Sequence, residues 1–257
     1  MILRGAWVTF RKELWSYCVS PISWAIAFLF YLWRGFELQE LIRGYSYYRG
    51  DLDQFPTATY GQQSTAYMVL FVPALLTMRC FAEERRTGSI ETLMTAPVTD
   101  AGVVFGKWCA AAAFYGLLWL PSVLVLHVLE YGPFLASDLA FGPVAAAYLG
   151  MFLLSSMLLA FGVFASSLTD NVLLSAVLAF LVSLGLLTLP QKIASQVGTL
   201  AQNYYVRELL EKLDVMRNFG EWFARGLIDT SQVMFYIGGI LFFLFLTTVS
   251  LSSRRIA

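Results

Sequence analysis

Residues that could do chemistry are scarce in this sequence, and the largest group of them lies in one short stretch. Between two apolar runs, residues 79–91 carry six charged side chains: Arg79, Glu83, Glu84, Arg85, Arg86 and Glu91. Two adjacent carboxylates could act as general acid and base, and Gly106-Lys107 could contact a phosphate. The single histidine, His127, stands three residues before Glu130. Each candidate has to be weighed against a purely structural role.

Lys107 does not fit a nucleotide-binding loop. A P-loop has the pattern G-x-x-x-x-G-K-[ST], so that backbone amides hold phosphates and a hydroxyl binds magnesium. Here Ala101 stands in place of the first glycine and Trp108 in place of the hydroxyl. We interpret Lys107 as a lysine near a helix end whose ammonium group reaches the lipid headgroups. The chain itself is therefore expected to bind neither ATP nor magnesium.

After a nucleotide-binding protein, a membrane-embedded hydrolase is the second functional class that these residues could indicate. Glu83-Glu84 superficially resembles the E-E-x-x-x-R motif of intramembrane proteases, but Gly88 stands in place of the arginine. His127 and Glu130 fall at the outer end of a predicted span, where a solvated helix end is the expected role. We therefore predict no catalytic and no metal-binding residue. A membrane scaffold that transports nothing stays open as a third class.

Composition indicates a polytopic membrane protein. Hydrophobic residues make up 58% of the chain and charged residues 13%, with a mean hydropathy of +0.67. A net charge of zero gives no reason to expect nucleic-acid binding. Because a bilayer core needs about 20 apolar residues, we predict an all-α fold with six transmembrane helices in a single domain, 1–257. The predicted spans are 22–36, 60–78, 103–127, 143–168, 172–189 and 233–251.

The limits of several spans are marked by polar residues. Arg34, Glu37 and Glu40 come early in the first span, so we expect it to continue past the hydrocarbon as an exposed helical extension. N-cap residues stand just before three apolar runs, at Thr99-Asp100, Thr169-Asp170-Asn171 and Asp229-Thr230-Ser231, and they predict helix starts there.

Two further segments are predicted to be amphipathic. In residues 1–20, Leu3, Trp7, Phe10 and Leu14 recur at helical spacing, which predicts a helix in the headgroup plane that ends at Pro21. The alternative is a plain cytosolic leader. In the long loop 191–230, a stripe of Leu209, Leu210, Leu213 and Met216 is followed by aromatic residues. That loop is either an external or re-entrant amphipathic helix or a small helical cap, and the pattern does not choose between them.

Charge distribution predicts the orientation. Lysines and arginines in short loops near membrane ends mark the cytoplasmic side. Most of the basic residues on one side lie in short segments, whereas most of those on the other side lie in the two longest loops. We therefore expect both termini and the charged stretch to be cytoplasmic, in the inner membrane.

The charged stretch is predicted to end in a short helix. Gly88 interrupts the preceding helix, and Ile90, Leu93, Met94 and Pro97 follow at positions i, i+3, i+4 and i+7. A helix of two turns is only marginally stable alone, so its apolar face needs a groove to pack in. The alternative is an ordinary charged loop that packs on its own bundle.

The run from Met78 to Lys107 resembles the first cytoplasmic loop of ABC-2 type transporter permeases. The residues that carry this resemblance are Met-Arg-x-Phe-Ala-Glu-Glu-Arg-Arg-Thr-Gly-Ser-Ile-Glu-Thr-Leu-Met-Thr-Ala-Pro-Val, followed by Gly106-Lys107. The chain is similar in particular to the branch that contains a gliding-motility permease and a permease of nitrous-oxide-reductase maturation. The end of the chain, 223–229 and 252–255 around the last span, also looks like the end of this family.

This resemblance implies a membrane subunit whose loop 83–98 is a coupling helix seated on a separate ATP-binding subunit. The implied binding residues are Glu83, Glu84, Arg85, Arg86, Gly88, Ile90, Glu91, Leu93, Met94 and Pro97. ATP and Mg²⁺ would be bound by that partner and not by this chain. A second permease half, identical or not, and membrane lipid would be the other partners.

Overall fold

The computed structural model describes residues 2–48, 63–90, 98–131, 141–196, 212 and 214–255, and every regular element in these ranges is helical. This confirms the predicted all-α class. In chain order the elements are α1 (Ile2–Val19), α2 (Pro21–Tyr48), α3 (Gln63–Thr77), α4 (Ala82–Arg86), α5 (Asp100–Tyr131), α6 (Phe141–Leu168), α7 (Val172–Gln196), α8 (Val215–Glu221), a 3₁₀ turn (Phe223–Arg225) and α9 (Thr230–Arg255).

Four helices among the described residues are long and apolar enough to cross a membrane. They lie within α5, α6, α7 and α9, over Asp100–Val125, Gly142–Leu168, Val172–Pro190 and Thr230–Ser253. The chain is thus a multi-pass membrane protein, with up to five spans if α1 and α2 form one bent span. The count of six stays a prediction, because α3 has 15 residues and the start of its predicted span, 60–62, lies outside the described residues.

Polar residues begin these helices as expected. The Thr99 hydroxyl accepts a hydrogen bond from the Gly102 N–H at the start of α5. The Asn171 side chain accepts from the Leu173 and Leu174 N–H groups at the start of α7. The Asp229 side chain accepts from the Ser231 N–H at the start of α9. Such caps satisfy N–H groups that have no partner within the helix.

Helix α6 lies at the centre of the bundle. It packs against α3, α5, α7 and α9, and Leu154, Leu158 and Leu159 are among its fully buried side chains. The described part of the long loop also packs on α6. A side chain added at Gly150 would collide with the Phe223 ring, so a glycine is needed where α8 and the 3₁₀ turn cap the bundle.

The chain bends sharply between α1 and α2. The two helices meet at an angle of 68°, and Pro21 begins α2, where its missing N–H costs no hydrogen bond. The face of α1 turned to the protein differs from the predicted stripe. Trp7 is 64% exposed, whereas Ala6 and Thr9 are buried. Whether Trp7 lies among lipid headgroups therefore stays a prediction.

Helix α1 approaches α5 closely because α5 carries a glycine. A Cβ at Gly106 would lie 2.6 Å from the Ala6 carbonyl oxygen and 2.9 Å from the Thr9 Cβ. Any larger residue would separate the two helices. The close approach places the next residue of α5, Lys107, under the middle of α1.

Two charged residues of α2 lie against the bundle, contrary to expectation: Glu37 is buried and Arg34 is partly buried. We expected α2 to leave the hydrocarbon near Arg34 and to continue as an exposed extension. Instead, the Arg34 side chain is 13% exposed and pairs with Glu37 at 2.5 Å, and the Thr65 hydroxyl donates to Glu37 at 3.1 Å. The Arg34 guanidinium also lies 4.9 Å from the centre of the Trp119 ring. The expectation failed because these charges have partners on α3 and α5 that the local pattern does not show.

Candidate functional site

The charged stretch forms a short helix with a glycine end. Helix α4 ends at Arg86 and is capped by Thr87, whose N–H donates to the Glu83 carbonyl. The Gly88 N–H donates to the Arg85 carbonyl. Gly88 has a φ of +72°, in the left-handed region that favours glycine. This confirms that Gly88 interrupts the helix. Ser89 and Ile90 are helical again.

Only part of the predicted binding set lies within the described residues. Glu91, Leu93, Met94 and Pro97 fall outside them, so their role stays a prediction. Ile90 is half-buried and packs on the chain's own core. Arg86, Thr87, Gly88 and Ser89 are exposed. We call residues 79–90 the coupling segment from here on, after the role that the family resemblance implies for them.

Arg79 and Glu83 form an ion pair at the start of the coupling segment. The guanidinium donates two hydrogen bonds of 2.6 Å to the two carboxylate oxygens. These bonds hold the pKa of Glu83 below its ordinary value and raise the pKa of Arg79. Because the pKa of Glu83 is lowered in the folded state, the stabilisation is present above the ordinary glutamate pKa and is lost as the pH falls through the lowered value.

Lys107 is the most buried charge of the site. Its side chain is 1% exposed, and its ammonium group donates three bonds of 2.8 Å, to Glu13, to Glu84 and to the Cys80 carbonyl. All three donors of a lysine are thereby used. The interpretation of Lys107 as a lysine that reaches the headgroups is wrong. Two carboxylates from other helices give the ammonium a better environment inside the protein.

The opposite side of the coupling segment is held by α6 and the turn after it. The buried Ser166 hydroxyl accepts hydrogen bonds of 3.0 Å from the Phe81 and Ala82 N–H groups and donates to the Met78 carbonyl. The Arg85 side chain is 5% exposed, and its Nη1 lies 3.7 Å from the Asp170 carboxylate. The coupling segment thus contacts α1 and α5 on one side and the α6–α7 end on the other.

We expect Ser166→Ala to loosen the coupling segment. The substitution leaves the buried N–H groups of Phe81 and Ala82 without an acceptor, and each such loss costs about 1–3 kcal/mol. Amide hydrogen exchange over residues 79–86 should become faster than in the unmodified protein. Ser167→Ala is the matched control, because the buried Ser167 hydroxyl donates to the Phe164 carbonyl of its own helix. Equal exchange in the two variants would show that Ser166 does not hold the segment.

The glutamates and the thiol of this site are held in states that do not suit acid–base chemistry. Glu83 and Glu84 are both bonded to cations, and burial raises the pKa of the Cys80 thiol to about 11, so that thiol is protonated at neutral pH. A cavity of about 470 Å³ lies in the elbow between α1 and α2, beside Arg79 and Glu83. Its charged lining residues are bonded to one another or to Lys107. The side chains of His127 and Glu130 lie outside those described.

Sequence reasoning missed two residues of this site. Glu13 lies 94 positions before Lys107, and Ser166 lies 85 positions after Phe81, so no local pattern connects them. One signal was available: Gly106 stands immediately before Lys107, and a glycine in a helix often marks a close helix approach.

Residues 7–252 match the family model described as ABC-2 family transporter protein. The match covers nearly the whole chain, including the coupling segment and every helix from α2 to α8. No curated protein matches the chain.

Proposed function

Since the chain belongs to the ABC-2 transporter family, we propose that it is the permease subunit of an export-type ABC transporter, coupling ATP hydrolysis by a separate subunit to substrate movement. The chain would contribute no ATPase activity. ATP and Mg²⁺ would be bound by the partner subunit. Kinship with the branch that contains the gliding-motility permease and the permease of nitrous-oxide-reductase maturation stays a proposal.

The observation that supports coupling most strongly is the way the coupling segment is fixed. Its contacts reach α1 and α5 through Glu84 and Lys107, and α6 through Ser166. A displacement of the segment by an outside partner would therefore be passed to several helices at once. Ion pairs and hydrogen bonds with both partners buried resist such displacement more than surface pairs do.

We call Glu84, Arg85 and Lys107 the buried anchors, because their side chains hold the coupling segment to the bundle. We assign the contact with the ATPase subunit to the loop that follows Glu84 and Arg85. Glu84 and Arg85 face the bundle, so their proposed role is to hold the loop rather than to contact the partner. Arg86, Gly88 and the apolar residues Leu93 and Met94, ended by Pro97, are the proposed contact surface. The part of Ile90 that does not pack on the chain's own core would join them. Glu83 and Glu91 would lie at its edge.

The proposed assembly has two permease halves and two ATPase subunits. Six spans without a nucleotide site make half of a transporter, and the second half would be either another copy or a related chain. Both termini and the loop 83–98 would face the cytoplasm, with the complex in the inner membrane and surrounded by lipid.

Cysteine labelling tests the proposed orientation. In a background without the exposed Cys18, a membrane-impermeant reagent added to intact cells should label a cysteine at Asp53 and spare one at Thr87. The expectation follows from the basic residues in the short loops. Permeabilised cells provide the control, because both positions should then react. Labelling of Thr87 alone in intact cells would contradict the proposal, since the loop could not meet an ATP-binding subunit.

A further inference from the structure

We propose that Lys107 ties α1 to the coupling segment, so that α1 moves with the coupling segment rather than with α2. In this account Glu13 is a positioning residue that holds α1 on the Lys107 ammonium group. The inference rests on the proposed function, because it concerns what happens when an ATPase subunit displaces the segment.

The Lys107 ammonium group joins parts of the chain that lie far apart in the sequence. Its three acceptors come from three separate parts of the chain: Glu13 of α1, Glu84 of α4 and the Cys80 carbonyl before α4. Lys107 itself belongs to α5. With all three donors used and the side chain 1% exposed, water does not compete for these bonds, and charge-assisted bonds of this length are among the stronger ones in proteins.

Glu13 is one of three residues along a single face of α1 and its C-terminal end that bond to the end of α3 or to Lys107 and the coupling segment. Tyr17, four residues on, donates its hydroxyl to the Leu76 carbonyl at 2.9 Å and lies 3.3 Å from the Cys80 sulfur. At the end of α1, the Ser20 hydroxyl accepts a hydrogen bond of 3.4 Å from Arg79. Residues four and three apart lie on one face of a helix. Helix α1 therefore follows residues 76–84 over about two turns.

Helices α1 and α2 are separated by a break in the helical path. The two helices differ in direction by 68°, and Pro21 cannot continue the hydrogen bonding of α1 through its nitrogen. Gly106 also lets the backbone of α1 lie directly on α5. Helix α1 is thus packed along α5 and bonded to the coupling segment through side chains at Glu13, Tyr17 and Ser20. It meets α2 at a bend, across which the Trp24 indole donates to the Cys18 carbonyl.

Spin-label distances in the complex with the ATPase subunit test this. One pair joins α1 and the segment, at Val8 and Thr87. A second pair joins the segment and α9, at Thr87 and Met234. All three positions are exposed, and Cys18 and Cys109 are replaced to avoid unwanted labelling. Only labelled complexes that retain the ATPase subunit are compared, without nucleotide and with ATP trapped by a hydrolysis-deficient ATPase.

We expect the distance from Thr87 to Met234 to change with nucleotide and the distance from Val8 to Thr87 to stay the same. Glu13→Gln weakens one of the charged bonds, so the population with α1 detached should rise about tenfold, seen as a broader Val8–Thr87 distribution. Arg11→Gln is the control on the same helix, because Arg11 is exposed, and it should match the unmodified protein.

Two outcomes overturn the inference while leaving the proposed function intact. In the first, both distances change with nucleotide, so that α1 does not follow the segment. In the second, Glu13→Gln leaves the Val8–Thr87 distribution unchanged. If instead no ATPase subunit binds, or nucleotide leaves the Thr87–Met234 distance unchanged, the proposed function fails and this inference fails with it.

Discussion

Replacing Lys107 with methionine should lower the free energy of unfolding by about 3–5 kcal/mol, the cost of removing one partner from a buried ion pair. Methionine keeps much of the side-chain volume but removes the charge. The Glu13 and Glu84 carboxylates, each 16% exposed, would then lose their buried cation and keep the largely exposed Lys12 beside them, and the Cys80 carbonyl would lose a donor. Unfolding in mixed detergent micelles, followed by tryptophan fluorescence, measures the difference.

Lys12→Met is the matched control for that experiment. The Lys12 side chain lies 3.9 Å from Glu13 and 3.8 Å from Glu84, but it is 68% exposed. Exposed pairs contribute about 0–1 kcal/mol, so this variant should unfold almost as the unmodified protein does. A similar loss in both variants would mean that burial of Lys107 does not set the strength of the cluster.

Leu93→Asp should release the ATPase subunit from the permease. If Leu93 fills a groove of the partner, its removal costs about 1.5–3 kcal/mol of contact energy, to which the cost of a buried carboxylate adds. Affinity should therefore fall at least about tenfold. The permease should remain inserted and folded, because residue 93 is predicted to lie outside the bilayer. Co-purification of the ATPase subunit and ATP hydrolysis by the complex measure the effect.

Glu91→Ala is the comparison for Leu93→Asp. A charge at the edge of an interface contributes much less than a buried apolar residue, so this variant should keep nearly normal ATPase binding. Normal binding and hydrolysis in Leu93→Asp would show that the loop is passive. In that event the buried anchors around Lys107 would be structural only.

The apolar helices and their starting residues could be predicted from the sequence because both depend on local patterns. Runs of about 20 apolar residues identified α5, α6, α7 and α9. Thr99, Asn171 and Asp229 marked the starts of three of them. Pro21 marked the bend after α1, and Gly88 marked the end of α4. In each case the deciding interaction joins residues within one helical turn.

The partners of the buried charges could not be predicted in the same way. Lys107 pairs with Glu84, 23 positions away, and with Glu13, 94 positions away, so its environment depends on how four segments pack. A single sequence shows a lysine near a helix end, and such a lysine usually reaches toward water. Arg34 and Glu37 misled the prediction for the same reason, since Thr65 of α3 is needed to explain why Glu37 is buried.

The mass of the complex purified from native membranes in nanodiscs shows whether this chain is one half of an ABC transporter. We expect two permease halves bound to two ATP-binding subunits, with ATP hydrolysis confined to the complex. Stable isolation of this chain as a monomer that turns over a substrate without any ATPase subunit would contradict it.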